Sequence, residues 1–274
     1  MYSRPSASAR RSTRVGPVVA ILAAAGLALL VLPLLGLLLR APWAELPALI
    51  ASEPVLQALG LSLGTAAISL VFCLLLGIPL AVVLTHSERW HVVPRRLLRA
   101  AITIPLVLPP VVGGIALLLL LGRRGILGQW LAQVGLTIPF TTGAVVIAQT
   151  FVAMPFLVFA VEGALRSADR RSETAAATLG ATPAQTFRLV TLPLVAPGIA
   201  AGAVLCFTRA LGEFGATITF AGSFPGVTRT LPIASYLAMN SDPETAIALA
   251  LVLLAVAGVV LLTLRDRWLP GVAR

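Results

Sequence analysis

Residues 166–193 read RSADRRSETAAATLGATPAQTFRLVTLP, a polar stretch between two strongly apolar ones. It contains two helix signals separated by a glycine. Ser172 is a good N-cap, and Glu173 follows in the first turn, where a carboxylate faces the positive end of a helix. Gly180 can adopt the left-handed conformation that ends a helix. The pattern predicts a helix, a glycine turn and a second helix at a membrane surface.

The second helix is expected to begin with a capping box. Thr182 is its cap, Pro183 fits the first helical position, and Gln185 follows the cap by three residues. Residues 191–193 are expected to end this unit and lead the chain into the membrane. The alanines of the first helix predict a low-relief surface that another protein can approach closely. An ordinary amphipathic linker between two spans fits the same pattern.

The sequence on either side is that of a membrane protein. Of 274 residues, 58% are hydrophobic and only 11% are charged, whereas a soluble domain carries roughly 25% charged residues. A membrane-spanning helix needs about 20 apolar residues. We assign spans to residues 16–39, 56–84, 100–121, 143–161, 193–211 and 245–264. The prediction is an all-α domain with six transmembrane helices over residues 15–274, preceded by a tail at residues 1–14.

The first span exceeds the length of a secretory signal core, which favours an uncleaved helix over a signal peptide. Arginine sets the expected orientation, because cytoplasmic loops carry most of the positive charge. All 20 basic residues are Arg. If the N-terminus is cytoplasmic, all but five face the cytoplasm, and the five are Arg40, Arg123, Arg124, Arg209 and Arg229. Both termini are therefore predicted to be cytoplasmic.

Several classes of chemistry lack the residues that they need. With no Lys in the sequence, neither a Walker-type phosphate loop nor a Schiff-base site is present. If ATP drives this protein, another chain must bind it. Cys73 and Cys206 are interpreted as buried hydrophobes, and His86 and His91 as solvated loop residues. We expect no catalytic residue, metal site or cofactor in this chain, and no nucleic-acid partner, since no basic stripe is interleaved with aromatics.

Two features are candidates for a translocation path. Pro109 and Pro110 lie close to Gly113 within the third predicted span, and such a break is tolerated in a membrane only against protein or water. A kinked packing helix and a path-lining helix both fit. Arg209 and Glu213 stand four residues apart and can pair if the fifth helix continues. A structural pair across a helix break and a gate both remain open.

Residues 122–142 predict a turn and a short amphipathic helix at the extracytoplasmic surface, ended by Pro139. The six predicted spans contain no Asp or Glu. Ion-coupled carriers usually place such residues in their spans as relays, so a secondary transporter is a distant alternative.

The polar stretch resembles the EAA loop of ABC importer permeases, EAA-x3-G-x9-I-x-LP. When Gly180 is aligned on the motif glycine, Thr174-Ala-Ala falls on EAA, Val190 on Ile and Leu192-Pro193 on LP. Thr174 replaces the motif Glu, and Glu173 stands one place earlier. The resemblance implies an ATPase-coupling loop within residues 166–193, made by Glu173, Thr174, Ala175, Ala176, Gly180, Ala181, Pro183 and Pro193.

Residues 207–236, FTRALGEFGATITFAGSFPGVTRTLPIASY, resemble the corresponding part of molybdate permeases, and sulfate permeases share the core at 209–215. Together the resemblances cover residues 56–264. They imply an inner-membrane permease that works with two ATPase subunits binding ATP and Mg, an extracytoplasmic oxyanion-binding protein and a second permease copy. Molybdate is the expected substrate, and sulfate, thiosulfate or tungstate are alternatives. An oxyanion path should lack carboxylates, and Thr217 and Thr219 would offer it hydroxyl donors.

Overall fold

The computed structural model describes residues 16–168 and 170–268, except for the side chains of Arg89, Arg170, Leu261 and residues 263–268. The predicted tail at residues 1–14 lies outside this part. The chain divides into two units, Met1–Ala41 and Pro42–Arg274. The first contains α1 (Pro17–Leu39). The second contains α2 (Leu46–Ile50), α3 (Glu53–His86), α4 (Val92–Val107), α5 (Pro110–Leu121), α6 (Gly128–Gln133), α7 (Thr142–Ser167), α8 (Arg170–Thr178), α9 (Pro183–Thr186), α10 (Leu192–Leu211), α11 (Gly215–Ala221), α12 (Leu231–Ala238) and α13 (Pro243–Trp268).

The described residues contain five helices long and apolar enough to cross a membrane, and six if α4 and α5 form one bent span. The prediction of an all-α protein with six spans is thus confirmed. The prediction of the third span as one helix over residues 100–121 was wrong. Helix α4 begins at Val92, ends at Val107, and is bent by 116° against α5. Leu108 is extended at the break, because the residue before a proline avoids the helical conformation.

Helix α7 is the centre of the second unit and packs along α3 and α10. Small residues bring these helices close, as is common between membrane helices. A Cβ on Gly202 of α10 would lie 2.8 Å from the Cβ of Ala160 on α7. Cys73 and Cys206 are fully buried in the shared core, as the sequence predicted.

Three local predictions were wrong. Helix α8 begins at Arg170, so Ser172 lies in its first turn and is not its N-cap. Helix α6 ends at Gln133, well before Pro139, and Gly135 follows with a φ of +79°. The unit expected to end at residues 191–193 does not end there. A π turn over Phe187–Thr191 joins α9 directly to α10, so the helix runs unbroken from Pro183 to Leu211.

Candidate functional site

The loop between α7 and α10 has the predicted helix, glycine turn and helix. Helix α8 ends at Thr178, and Gly180 has a φ of +84°. The N–H of Ala181 donates to the Ala176 carbonyl at 3.0 Å, which closes the turn. The capping box is confirmed: the N–H of Gln185 donates to Thr182 Oγ1 at 3.3 Å, and Gln185 Oε1 accepts from the Thr182 N–H at 2.9 Å.

The outer surface of this loop is formed by small side chains around one large apolar residue. Thr174, Ala175, Gly180, Pro183 and Pro193 are exposed, whereas Ala176 and Ala181 are half-buried. Leu179 is 87% exposed. This residue was not nominated from the sequence. Its exposure could have been predicted, because a leucine directly before a helix-ending glycine has no following helical turn to pack against.

Glu173 faces inward. Its Oε1 accepts a hydrogen bond of 2.7 Å from Thr191 Oγ1 in the π turn, and Thr191 is buried. The carboxylate therefore links α8 to the start of α10. The sequence predicted a role for Glu173 in contact with another protein, and the observed geometry gives it a partner within the chain.

Behind the loop lies a cavity of about 670 Å³. One wall is the end of α3, with Thr85 and His86, and the opposite wall includes Glu173, Phe187 and Thr191. The loop is therefore separated from the end of α3 by open space.

A buried carboxylate next to this region was missed. Glu162 lies in α7, which extends beyond the predicted span end at residue 161, so the expectation of spans without Asp or Glu was wrong. Its side chain is 4% exposed and its Oε1 lies 3.1 Å from Arg99 Nη1 and 2.9 Å from Arg166 Nη2. Arg166 also pairs with Glu88 at 2.9 Å. The network joins α4, α7 and the turn after α3.

At the other end of α7, two helix breaks pack against each other. A Cβ on Gly215, the first residue of α11, would lie 2.9 Å from Pro110 Cβ at the start of α5. A Cβ on Gly114 would lie 2.8 Å from the Ala216 carbonyl oxygen and from Thr219 Cβ. The structure thus brings together the two segments that the sequence nominated separately.

The other nominated path residues have different environments. Gly113 is buried, and a Cβ there would lie 3.0 Å from the ring of Phe151. Pro109 is exposed. Thr219 donates to the Gly215 carbonyl within its own helix at 2.8 Å. Thr217 is fully buried.

Arg209 and Glu213 form an ion pair across the second break. Nη1 of Arg209 lies 2.6 Å from Glu213 Oε2, and the two side chains are 28% and 1% exposed. The pair forms although the helix does not continue through it, because α10 ends at Leu211. Instead Glu213 Oε1 accepts from the Ala216 N–H at 2.9 Å, so the carboxylate also caps α11.

Among the described residues, no group of three or more His, Cys, Asp and Glu side chains could hold a metal ion. The site therefore offers two kinds of surface at opposite ends of α7. One is a small-residue loop that is suited to contact with another protein. The other is a glycine-packed pair of helix breaks with an ion pair beside it.

Comparison with known proteins gives a consistent result. The family described as "Binding-protein-dependent transport system inner membrane component" matches residues 74–273. The molybdenum transport system permease protein ModB of Mycobacterium tuberculosis is 52% identical over 240 residues, covering 88% of this chain and 90% of that protein. ModB of Escherichia coli is 39% identical over 227 residues, covering 82% and 98%.

A solved structure shares the fold at low sequence identity. It is a bacterial alginate ABC transporter in complex with an alginate pentasaccharide-bound periplasmic protein. The match has a TM-score of 0.70 and 19% identity, and it covers 91% of this chain and 92% of that chain.

Proposed function

Because the chain belongs to the family of binding-protein-dependent transport system inner membrane components, we propose that it is the permease subunit of an ATP-driven molybdate importer. The assignment of molybdate as substrate rests on sequence similarity to permeases named for molybdenum transport. This similarity extends over most of this chain and most of each relative. Sulfate, thiosulfate and tungstate are the alternative oxyanions. The chain has no ATPase site of its own in this proposal, and ATP with Mg binds the partner subunits.

The proposed assembly is two copies of this permease with two ATPase subunits and an extracytoplasmic oxyanion-binding protein. The alginate transporter that shares the fold of this chain was solved with a periplasmic protein bound, which supports a partner of that kind. Both termini lie in the cytoplasm in this arrangement, and the loop containing α8 faces the ATPase.

The docking surface for the ATPase is the exposed loop around Gly180. The exposed Ala175 and Gly180 allow close approach, and Leu179 supplies an apolar anchor. Leu179 is 87% exposed, so docking would remove its apolar surface from water, which favours association. Glu173 supports this surface from behind, through its hydrogen bond to Thr191.

Movement of the loop would be transmitted through one continuous element. The helix from Pro183 to Leu211 connects the docking surface to the break at Gly212. Closure of the two ATPases would therefore displace the far end of α10, where α5 and α11 pack together. We assign the gate to that contact, with Pro109, Pro110, Gly113, Arg209, Glu213, Thr217 and Thr219 around it.

Uptake of radiolabelled molybdate tests the proposal. The permease is reconstituted in proteoliposomes with its ATPase and its loaded binding protein, and sulfate and tungstate are added as competitors. ATP-dependent molybdate uptake that resists excess sulfate is expected. Strong competition by sulfate would reject molybdate in favour of sulfate, and uptake without ATPase would reject the ABC mechanism.

Docking is tested by a Leu179→Ser variant, with Leu189→Ser as the matched control because Leu189 is also exposed, at 69%. Co-purification of the ATPase should fall with the first variant and persist with the second. Equal retention of the ATPase by both variants would contradict the assigned surface.

A further inference from the structure

Gln149 is a buried amide that the proposed function does not yet use. It lies in the middle of α7 and is 0% exposed. Within the described part of the chain, neither its Nε2 nor its Oε1 has a hydrogen-bond partner, and the same holds for Oγ1 of Thr217, also 0% exposed. Buried polar side chains are almost always hydrogen-bonded, so these two groups require an explanation.

Helix register places Gln149 beside the second helix break. Helices α7 and α10 run antiparallel and touch where Gly202 meets Ala160. Eleven residues amount to about three helical turns, so Gln149 lies on the same face of α7 as Ala160. On α10, the nine residues after Gly202 reach the end of the helix at Leu211, and Glu213 follows two residues later. Gln149 is therefore level with the ion pair of Glu213 and Arg209.

Packing around the two side chains gives the same placement independently. Val145 and Val152, one turn on either side of Gln149, share a buried apolar cluster with Ala216 and Phe220 of α11. Those two residues flank Thr217. Gln149 and Thr217 thus come from the facing segments of α7 and α11, and both are shielded from lipid and water.

The polar groups at this junction match a tetrahedral dianion. Arg209 supplies a guanidinium, Gln149 an amide N–H and Thr217 a hydroxyl, all of which donate to oxygen. The only carboxylate here, Glu213, pairs with Arg209 and caps α11. Arg209, the cation that an incoming anion would need, is therefore already paired with Glu213.

We propose that Gln149, Thr217 and Arg209 form a transit site for the oxyanion within the permease, and that Glu213 holds the Arg209 guanidinium in place there. This inference rests on the proposed function for its substrate class. During passage the oxyanion accepts hydrogen bonds from the amide, from the hydroxyl and from guanidinium N–H groups other than the one that faces Glu213, so the buried carboxylate keeps its partner. No bond is made or broken in the substrate.

The test separates a transport role from a structural one. Replacing an unpartnered buried amide by a side chain of similar size removes a destabilising group, so Gln149→Leu should melt at the wild-type temperature or above it. Molybdate uptake at saturating loaded binding protein should fall at least tenfold. ATP hydrolysis stimulated by the loaded binding protein should persist, because the docking loop is unchanged. Gln149→Met serves as a second variant of similar volume.

Thr65→Val is the matched control. Thr65 is buried and bonds only within its own helix α3, so this variant should transport normally. If wild-type protein imports molybdate and both Gln149 variants do so at the rate of Thr65→Val, the transit site is refuted and the proposed function stands. If wild-type protein imports no molybdate, the proposed function itself fails.

Discussion

Replacing Glu162 by Gln should weaken the attachment of α4 to α7. The carboxylate is 4% exposed and contacts two guanidinium groups, at 3.1 Å and 2.9 Å. Breaking a buried ion pair typically costs about 3–5 kcal/mol. Arg99 and Arg166 are 47% and 38% exposed, so water can rehydrate them and the amide can keep one hydrogen bond. We therefore expect a loss of about 2–3 kcal/mol, at or below the lower end of that range.

The loss is measured by thermal unfolding of the purified permease in detergent. At roughly 2–4 °C per kcal/mol for a chain of this size, Glu162→Gln should lower Tm by about 5–10 °C. Glu88→Gln is the matched control, since Glu88 pairs with the same Arg166 but is 39% exposed. An exposed pair contributes about 0–1 kcal/mol, so its Tm should change little. Equal shifts for the two variants would refute the argument that burial makes the difference.

The remaining predictions concern the loop and the helix breaks. Gly180→Val should separate ATP hydrolysis from molybdate uptake, because a β-branched residue resists a φ of +84°. Gly180→Asn is the control, since Asn tolerates that conformation, and it should keep uptake coupled to hydrolysis. Normal uptake by Gly180→Val would argue against the docking role. Glu173→Leu and Thr191→Val should each lower the ratio of uptake to hydrolysis, and the double variant should be no worse than either alone if their 2.7 Å hydrogen bond is the cause. Gly215→Val should abolish uptake by separating α5 from α11, whereas Gly64→Ala, where nothing lies within 4 Å, should have no effect; retained uptake in Gly215→Val would exclude this contact from the gate.

The features predicted best from the sequence are those decided by local chemistry. The capping box at Thr182 and the left-handed Gly180 follow from the conformational preferences of a few neighbouring residues. The existence of α3 and α7 follows similarly from long apolar runs, although α7 continues six residues beyond the predicted end at residue 161. Ser172 failed as a cap because helix-favouring residues precede it, and the chain began the helix two residues earlier.

The features that were missed depend on residues far apart in the sequence. Pro109 indicated a break, but nothing local sets a bend of 116°, which depends on the packing of α5 against α11. Glu162 looked like the first loop residue after a span, and its burial is stabilised both by Arg166 of the same helix and by Arg99 of another helix, which no local pattern indicates. Gln149 was not predicted as a site residue, because no sequence pattern distinguishes an isolated amide in an apolar run.

The contact between α5 and α11 also bears on leakage. Its closest points are Gly114 against Ala216 and Gly215 against Pro110, so the glycine backbone meets backbone atoms and the first side-chain carbons of the other helix. Side-chain rotation takes picoseconds to nanoseconds, whereas the displacement of whole helices takes microseconds to milliseconds. A seal of this kind cannot open by the rotation of a single side chain. It would hold protons and small ions back between turnovers, and it ties each opening to a slow movement of the protein as a whole.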